Sequence, residues 1–154
     1  IAGPSLLTPS AARVQGYRKA LSKYNLVQDD ALIIKGDFRA QTGFEATKDL
    51  LKIDNPPTAI FACNDMMAVG GLHAVDEAGL SVPKDISIVG FDDIPLASFT
   101  LPPLTTIYQP SQEMGSLAAK MVMERIKKPN LPTRKEVLPT SLITRKSCRA
   151  LDEK

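Results

Sequence analysis

Apolar residues recur along the chain at two periods. Val14, Tyr17, Ala20 and Leu21 fall at helical spacing behind Thr8-Pro9, a cap hydroxyl followed by a proline at the first helical position, and predict a helix over about 9–24. A short β-favouring run at 31–35 ends at Gly36-Asp37-Phe38. The stripe Phe44, Thr47, Leu50 and Leu51 then predicts a second helix, which Asn55-Pro56-Pro57 stops. Residues 58–63 are continuously apolar, the pattern of a strand covered on both faces, and Asn64 is a good N-cap for a helix running to Ala78. Gly79 and Leu80 suit a C-terminal cap, and Pro83 forbids continuation. A second buried strand is expected at 86–91, ended by Asp92-Asp93, and an extended segment at 105–108. Pro110 opens a last helix with the stripe Met114, Leu117, Ala118, Met121 and Val122, and with Lys127-Lys128 in its final turn, where positive charge suits the helix dipole. Residues 136–138 and 141–144 alternate like edge strands. Strand and helix alternate throughout, so the predicted fold is α/β, a parallel sheet with flanking helices and right-handed crossovers. Ile1-Ala2 followed by Gly3-Pro4 is too short a strand to open a domain, and the natural chain is expected to begin upstream.

Composition narrows the function classes. A chain of 154 residues buries roughly 70% of its unfolded surface, enough for a core without staples. Hydrophobic residues make up 44% and charged residues 23%, and 19 basic against 17 acidic side chains give a net charge of +2. That balance argues against a disordered acidic tail and against a basic nucleic-acid module. Cys63 and Cys148 stand without C-x-x-C or Cys/His spacing and are expected to be reduced thiols. The apolar runs fall short of the roughly 20 residues a membrane helix needs, and no charged signal-peptide start is present, so a cytoplasmic location without membrane contact is expected.

Enzyme signatures are thin. The sequence has no G-x-S-x-G elbow, no GxxxxGK[ST] loop, no GxGxxG after its first strand, and one histidine, His73, in mid-helix. Neither a metal site nor a cofactor is predicted. Asp92-Asp93 at a strand end would suit Mg²⁺ phosphotransfer, but the early acidic pair and later phosphoacceptor strand of such a domain are missing. In open parallel sheets, ligands bind beyond the carboxyl ends of the strands. The residues there are Gly3-Pro4, Asp37-Phe38, Asn64-Asp65 and Asp92-Asp93, with Arg13 reaching in from the first helix. Carboxylates, an amide, a guanidinium fork and an aromatic face together suit a polyhydroxylated ligand. Each also has a plainer reading: Asn64 as a helix cap, Asp92 and Asp93 as turn residues, Arg13 as a surface residue, Phe38 as a core aromatic.

Several blocks carry a resemblance: Ala11-Ala-Arg-Val-Gln-Gly-Tyr17, Gly36-Asp-Phe38, Pro57-Thr-Ala-Ile-Phe-Ala-Cys-Asn-Asp-Met-Met-Ala-Val-Gly70, Gly79-Leu-Ser-Val-Pro-Lys-Asp-Ile-Ser-Ile-Val-Gly-Phe-Asp-Asp93 and Pro103-Leu-Thr-Thr-Ile-Tyr-Gln-Pro110. In this order and spacing they resemble the lactose repressor/galactose repressor (LacI/GalR) family of bacterial transcriptional regulators. The resemblance implies a periplasmic-binding-protein-like effector domain of two α/β subdomains closing on a small molecule, usually a sugar or a nucleoside-related effector. It implies a C-terminal subdomain over 1–108, a crossover helix of the N-terminal subdomain over 109–130, returning strands over 131–147 and a tail over 148–154. The DNA-reading helix-turn-helix lies outside these residues, so operator contact is expected only through that separate domain.

Carried over residue by residue, Arg13 and Asp92 match the family's ligand-contacting arginine and acceptor, Asn64 an amide that often reaches the ligand, and Phe38 a cleft wall. The loop 5–8 lies where specificity varies, and its Leu6-Leu7 hints at a less polar contact. The small and apolar residues that almost encircle helix 65–78 suggest a homodimer interface around Val69, Leu72 and His73, joined in the family by the loop near Phe99. The stripe Met114, Leu117 and Met121 should be exposed without its partner subdomain. The alternative reading is a periplasmic solute-binding protein of a sugar transporter, which shares the architecture. The Pro103-Leu-Thr-Thr-Ile block and the unpaired cysteines favour the regulator.

Overall fold

A computed structural model describes residues 1–150. Its elements, in chain order, are α1 (Thr8–Lys23), α2 (Ala40–Lys52), β1 (Ala59–Phe61), α3 (Asp65–Glu77), β2 (Ser87–Asp92), β3 (Thr105–Tyr108), α4 (Ser111–Lys127) and β4 (Ser141–Ile143), with 3₁₀ turns at Asp30–Leu32 and Pro95–Ser98. The sheet runs β1-β2-β3-β4; β1, β2 and β3 are parallel, and β4 joins β3 antiparallel. The fold is thus α/β with a mostly parallel sheet and flanking helices. Ile1 extends the sheet beyond β1: its N–H donates to the Phe61 carbonyl and its carbonyl accepts from the Cys63 N–H, while Ala2 bridges Lys35 on its far side.

The core lies between the sheet and the α2/α3 layer. Ile60 and Ile88 from the strands and Leu104, just before β3, meet Met67, Leu72 and Val75 of α3 and Ala46 and Leu50 of α2. The two helices approach closely because Gly70 faces the Ala40 carbonyl with no side chain between them. On the other side of the sheet, Val14 of α1, Leu32 and Phe61 pack as a half-buried layer, so the strands are covered less completely on this face than the apolar runs suggest. Gly79 and Leu80 close α3 as expected, donating to the carbonyls of Asp76 and Val75.

Several local expectations are corrected. Helix α1 begins at Thr8 itself; Leu7 is the N-cap, its carbonyl accepts from Ser10 and Ala11, and no side chain caps the helix. Residues 31–35 form no strand, because the Asp29 carboxylate takes the Ala31 N–H at 2.8 Å and turns the backbone into a 3₁₀ segment, leaving only Lys35 to bridge Ala2. Residues 136–138 also form no strand: Pro139 follows without a donor, and Val137 and Leu138 border an open groove with Leu117 and Met121 of α4. Helix α4 buries none of its residues: of the expected stripe Met114 is exposed while Leu117 and Met121 are half-buried, and Val122, Met123 and Ile126 are exposed as well. Among the described residues, no helix is long and apolar enough to cross a membrane.

Candidate functional site

The carboxyl edge of the parallel strands gathers the polar residues that strand-end reasoning selects. Arg13, in the second turn of α1, reaches over the end of β1, where its Nη1 donates to the Cys63 carbonyl at 2.5 Å. Its Nη2 faces Asp92 Oδ1 at 3.5 Å and Gln109 Oε1 at 3.3 Å, and the guanidinium plane lies 3.7 Å over the centre of the Phe91 ring. The Arg13 side chain is 13% exposed and that of Asp92 30%. Stacking and a backbone carbonyl hold the guanidinium in place, while its contact with Asp92 is far longer than the 2.7 Å between Arg145 and Asp93 one residue on. Burial pushes the Asp92 carboxyl above its ordinary value; Arg13 pulls it back, and the nearby charge of Asp65 adds to the rise.

Asp92 and Asp93 both have positive φ, 118° and 55°, in the turn that leaves β2. Non-glycine residues in such regions cost of order 1–3 kcal/mol each, so the turn persists only because its surroundings hold it. Arg145 does part of that from β4's side, bonding Asp93 at 2.7 Å and the Leu104 carbonyl at 2.9 Å.

Asn64 and Phe38 form a neighbouring pair. Asn64 Oδ1 accepts from the Met67 N–H at 3.0 Å, the helix-cap reading, and its Nδ2 donates to the Phe38 carbonyl at 2.8 Å. This tether holds Phe38 at φ 72°, with its half-buried ring packed against Gly3. Asp37 is engaged at the entry to α2: its carboxylate accepts from the Thr42 hydroxyl and the Arg39 N–H, which hold it below the ordinary carboxylate range.

The structure therefore brings Arg13 and Asp92 into one cluster, and links Asn64 and Phe38 to it through Cys63, the residue beside Asn64. Sequence reasoning missed Gln109 and Phe91. Gln109 follows the end of β3, so the strand-end rule applied to 105–108 finds it. Phe91 lies inside the β2 run, and nothing in its spacing marks it as the floor under a guanidinium.

On the outer side of α3, Val69 and exposed His73 border a shallow depression with Ala40, Gln41 and Phe44, the His73 and Phe44 rings 5.1 Å apart. Leu72 does not belong to that face. It is 9% exposed and packs in the core, because it sits one helical step round towards the sheet. Phe99 is 80% exposed on the loop after β2, close in sequence to exposed Leu96 and Leu101. Among the described residues, no group of three His, Cys, Asp or Glu side chains is placed to hold a metal ion.

Comparison with known proteins agrees with this fold. The model of the periplasmic binding protein-like domain family matches residues 1–148. The ribose operon repressor of Escherichia coli K12 is 44% identical over 147 residues, 96% of this chain and 44% of the repressor. The HTH-type transcriptional repressor CytR of the same strain is 40% identical over 151 residues, 98% of this chain and 44% of that protein. Among solved structures, a complex of the transcriptional regulator CelR with cellobiose superposes with a TM-score of 0.92 at 35% identity, covering 96% of this chain and 45% of that one. A Lac repressor dimer bound to operator and an anti-inducer gives 0.86 at 34%, covering 97% and 51%. A LacI-family regulator from Enterococcus faecium with bound ribose gives 0.84 at 36%, covering 92% and 52%. The chain spans a little under half the length of the curated relatives it matches. It belongs to the periplasmic-binding-protein-like domain family and is homologous to part of the effector-binding domain of LacI-family transcriptional regulators.

Proposed function

We propose that the chain is the sugar-sensing and dimerising part of a cytoplasmic LacI-type regulator, with Arg13, Asp92, Gln109, Asn64 and Phe38 forming one wall of the effector cleft. The observation that carries this reading is the loose Arg13–Asp92 pair, fixed at both ends yet 3.5 Å apart. A sugar hydroxyl is both donor and acceptor, so one placed over the pair from the cleft side donates to the carboxylate while accepting from the guanidinium. The half-buried ring of Phe38 offers an apolar surface for the C–H face of a sugar ring. A pentose heads the candidates, because the E. coli relative is a ribose operon repressor and the E. faecium regulator holds ribose.

The opposite wall would come from a second subdomain, to which α4 belongs as the crossover; its lack of any buried residue supports that role. Dimers would form through Val69, His73 and Phe99, and operator DNA would be read by a separate domain. Effector binding changes operator affinity by favouring one of two arrangements of the subdomains, and only in proportion to its preference for that state. The test is a thermal-shift panel of pentoses, hexoses, their phosphates, disaccharides and nucleobases on the full-length regulator. One sugar at a hundred times its Kd stabilises by about 2.7 kcal/mol, and Arg13→Ala and Asp92→Ala abolish the shift. A panel without any shift would contradict the reading.

A further inference from the structure

Asp65, the first residue of α3, is fully buried, and neither of its oxygens faces the cleft. Its Oδ2 accepts from the Ile94 N–H at 2.8 Å and its Oδ1 from the Thr106 hydroxyl at 2.5 Å. The slot it occupies exists because Gly90 of β2 has no side chain: a Cβ there would collide with Asp65 Oδ1. The N-terminus of α3 favours a negative charge at this position. Ile94 closes the turn that begins at Asp92, so the carboxylate grips the far end of the two residues with positive φ.

We propose that Asp65 is a positioning residue for effector binding: through the Ile94 N–H it holds the Asp92–Asp93 turn in the left-handed course that aims Asp92 at Arg13. This rests on the sugar-binding reading above only for its final step. The Thr106 hydroxyl satisfies the other carboxylate oxygen, which does not touch the turn, and Arg145 braces the other side of the turn through Asp93. When the acceptor beneath Ile94 is lost, the turn relaxes towards negative φ and Asp92 leaves Arg13.

Three variants of the full-length regulator separate this role from general support of the core. Asp65→Ala removes both bonds. Asp65→Asn keeps an acceptor for Ile94, while its amide donates to the Thr106 hydroxyl, which rotates to accept. Thr106→Val removes only the Thr106 bond. Two readouts are taken on each folded variant: amide-hydrogen exchange at Ile94 with the backbone couplings of Asp92 and Asp93 by NMR, and D-ribose affinity by calorimetry.

Asp65→Ala is expected to speed Ile94 exchange and to weaken D-ribose binding, each by at least about tenfold, whereas Asp65→Asn and Thr106→Val stay within about threefold of wild type. Unchanged exchange and affinity in Asp65→Ala, or equal losses in Thr106→Val, would overturn the proposal. If Asp65→Ala does not fold, Asp65→Asn decides: a folded variant that keeps Ile94 protected but loses affinity contradicts the positioning role, and one that keeps both supports it. If D-ribose fails to bind the wild type, the sugar assignment fails, while exchange and couplings still decide whether Asp65 holds the turn.

Discussion

Asp92 ends β2 with a carboxylate that burial disfavours and a backbone at φ 118°. Both features cost stability in the unliganded protein, and a ligand hydroxyl that donates to the carboxylate offsets the first. Asp92→Asn is therefore expected to leave the unliganded melting temperature no lower than wild type while removing the sugar-induced rise, a contrast that thermal denaturation reads directly. The pH dependence follows from the same group. Its folded pKa lies above the ordinary 3.8, so the native state takes up a proton more readily than the unfolded chain. The destabilisation from Asp92 is thus fully present at neutral pH and is relieved as pH falls through the raised pKa. Sugar affinity moves the other way, dropping on acidification already above 3.8, which calorimetric titration of the wild type across that range reads directly. Arg13 and Asp92 were legible in the sequence because strand ends in a parallel sheet are where polar side chains converge. Asp65 was legible only as part of an Asn-Asp cap, since its buried bonds depend on the absence of a side chain at Gly90, a contact across 25 positions of sequence.

At the scale of elements, the helix signals were the most readable, because caps and stripes are local. Asn64 shows a cap with a second duty: it satisfies the Met67 N–H and also ties down Phe38. Asn64→Ala should cost about 1–2 kcal/mol in chemical denaturation, at the upper end of cap losses because two bonds go. Gly70→Ala should cost more, about 3 kcal/mol, since the added methyl meets the Ala40 backbone and the α2/α3 crossing must open to admit it. The strand signals failed where pairing was needed to decide them. Residues 31–35 and 136–138 have strand-like composition, but one is turned by the Asp29 carboxylate, and the other is followed by Pro139, which has no N–H to pair. By contrast β3 lies at 105–108 as the pattern predicts, because its register with β2 places Thr105 and Thr106 on buried hydrogen-bond partners.

For the whole molecule, the distribution of apolar surface is uneven. The sheet and the α2/α3 layer enclose a core, while α4 carries Met114, Val122, Met123 and Ile126 into solvent. Residues 1–150 produced alone should therefore self-associate with concentration in light scattering and bind a hydrophobic dye, and the full-length regulator should not bind it. Phe99 sits on a different surface, so Phe99→Asp in the full-length regulator should weaken dimers, read as a fall in mass at low micromolar concentration, without lowering the melting temperature of the monomer. Leu72→Asp cannot serve that purpose, because it places a charge in the core.

The central claim is that the Arg13–Asp92 face reads sugar hydroxyls. Calorimetric titration of D-ribose into the full-length regulator, wild type beside Arg13→Lys, tests it most directly. Lysine keeps the charge but lacks the planar fork that stacks on Phe91 and reaches Cys63, Gln109 and Asp92 together. The account predicts saturable binding by the wild type and a loss of at least about tenfold in Arg13→Lys. Equal affinities in the two proteins would contradict it.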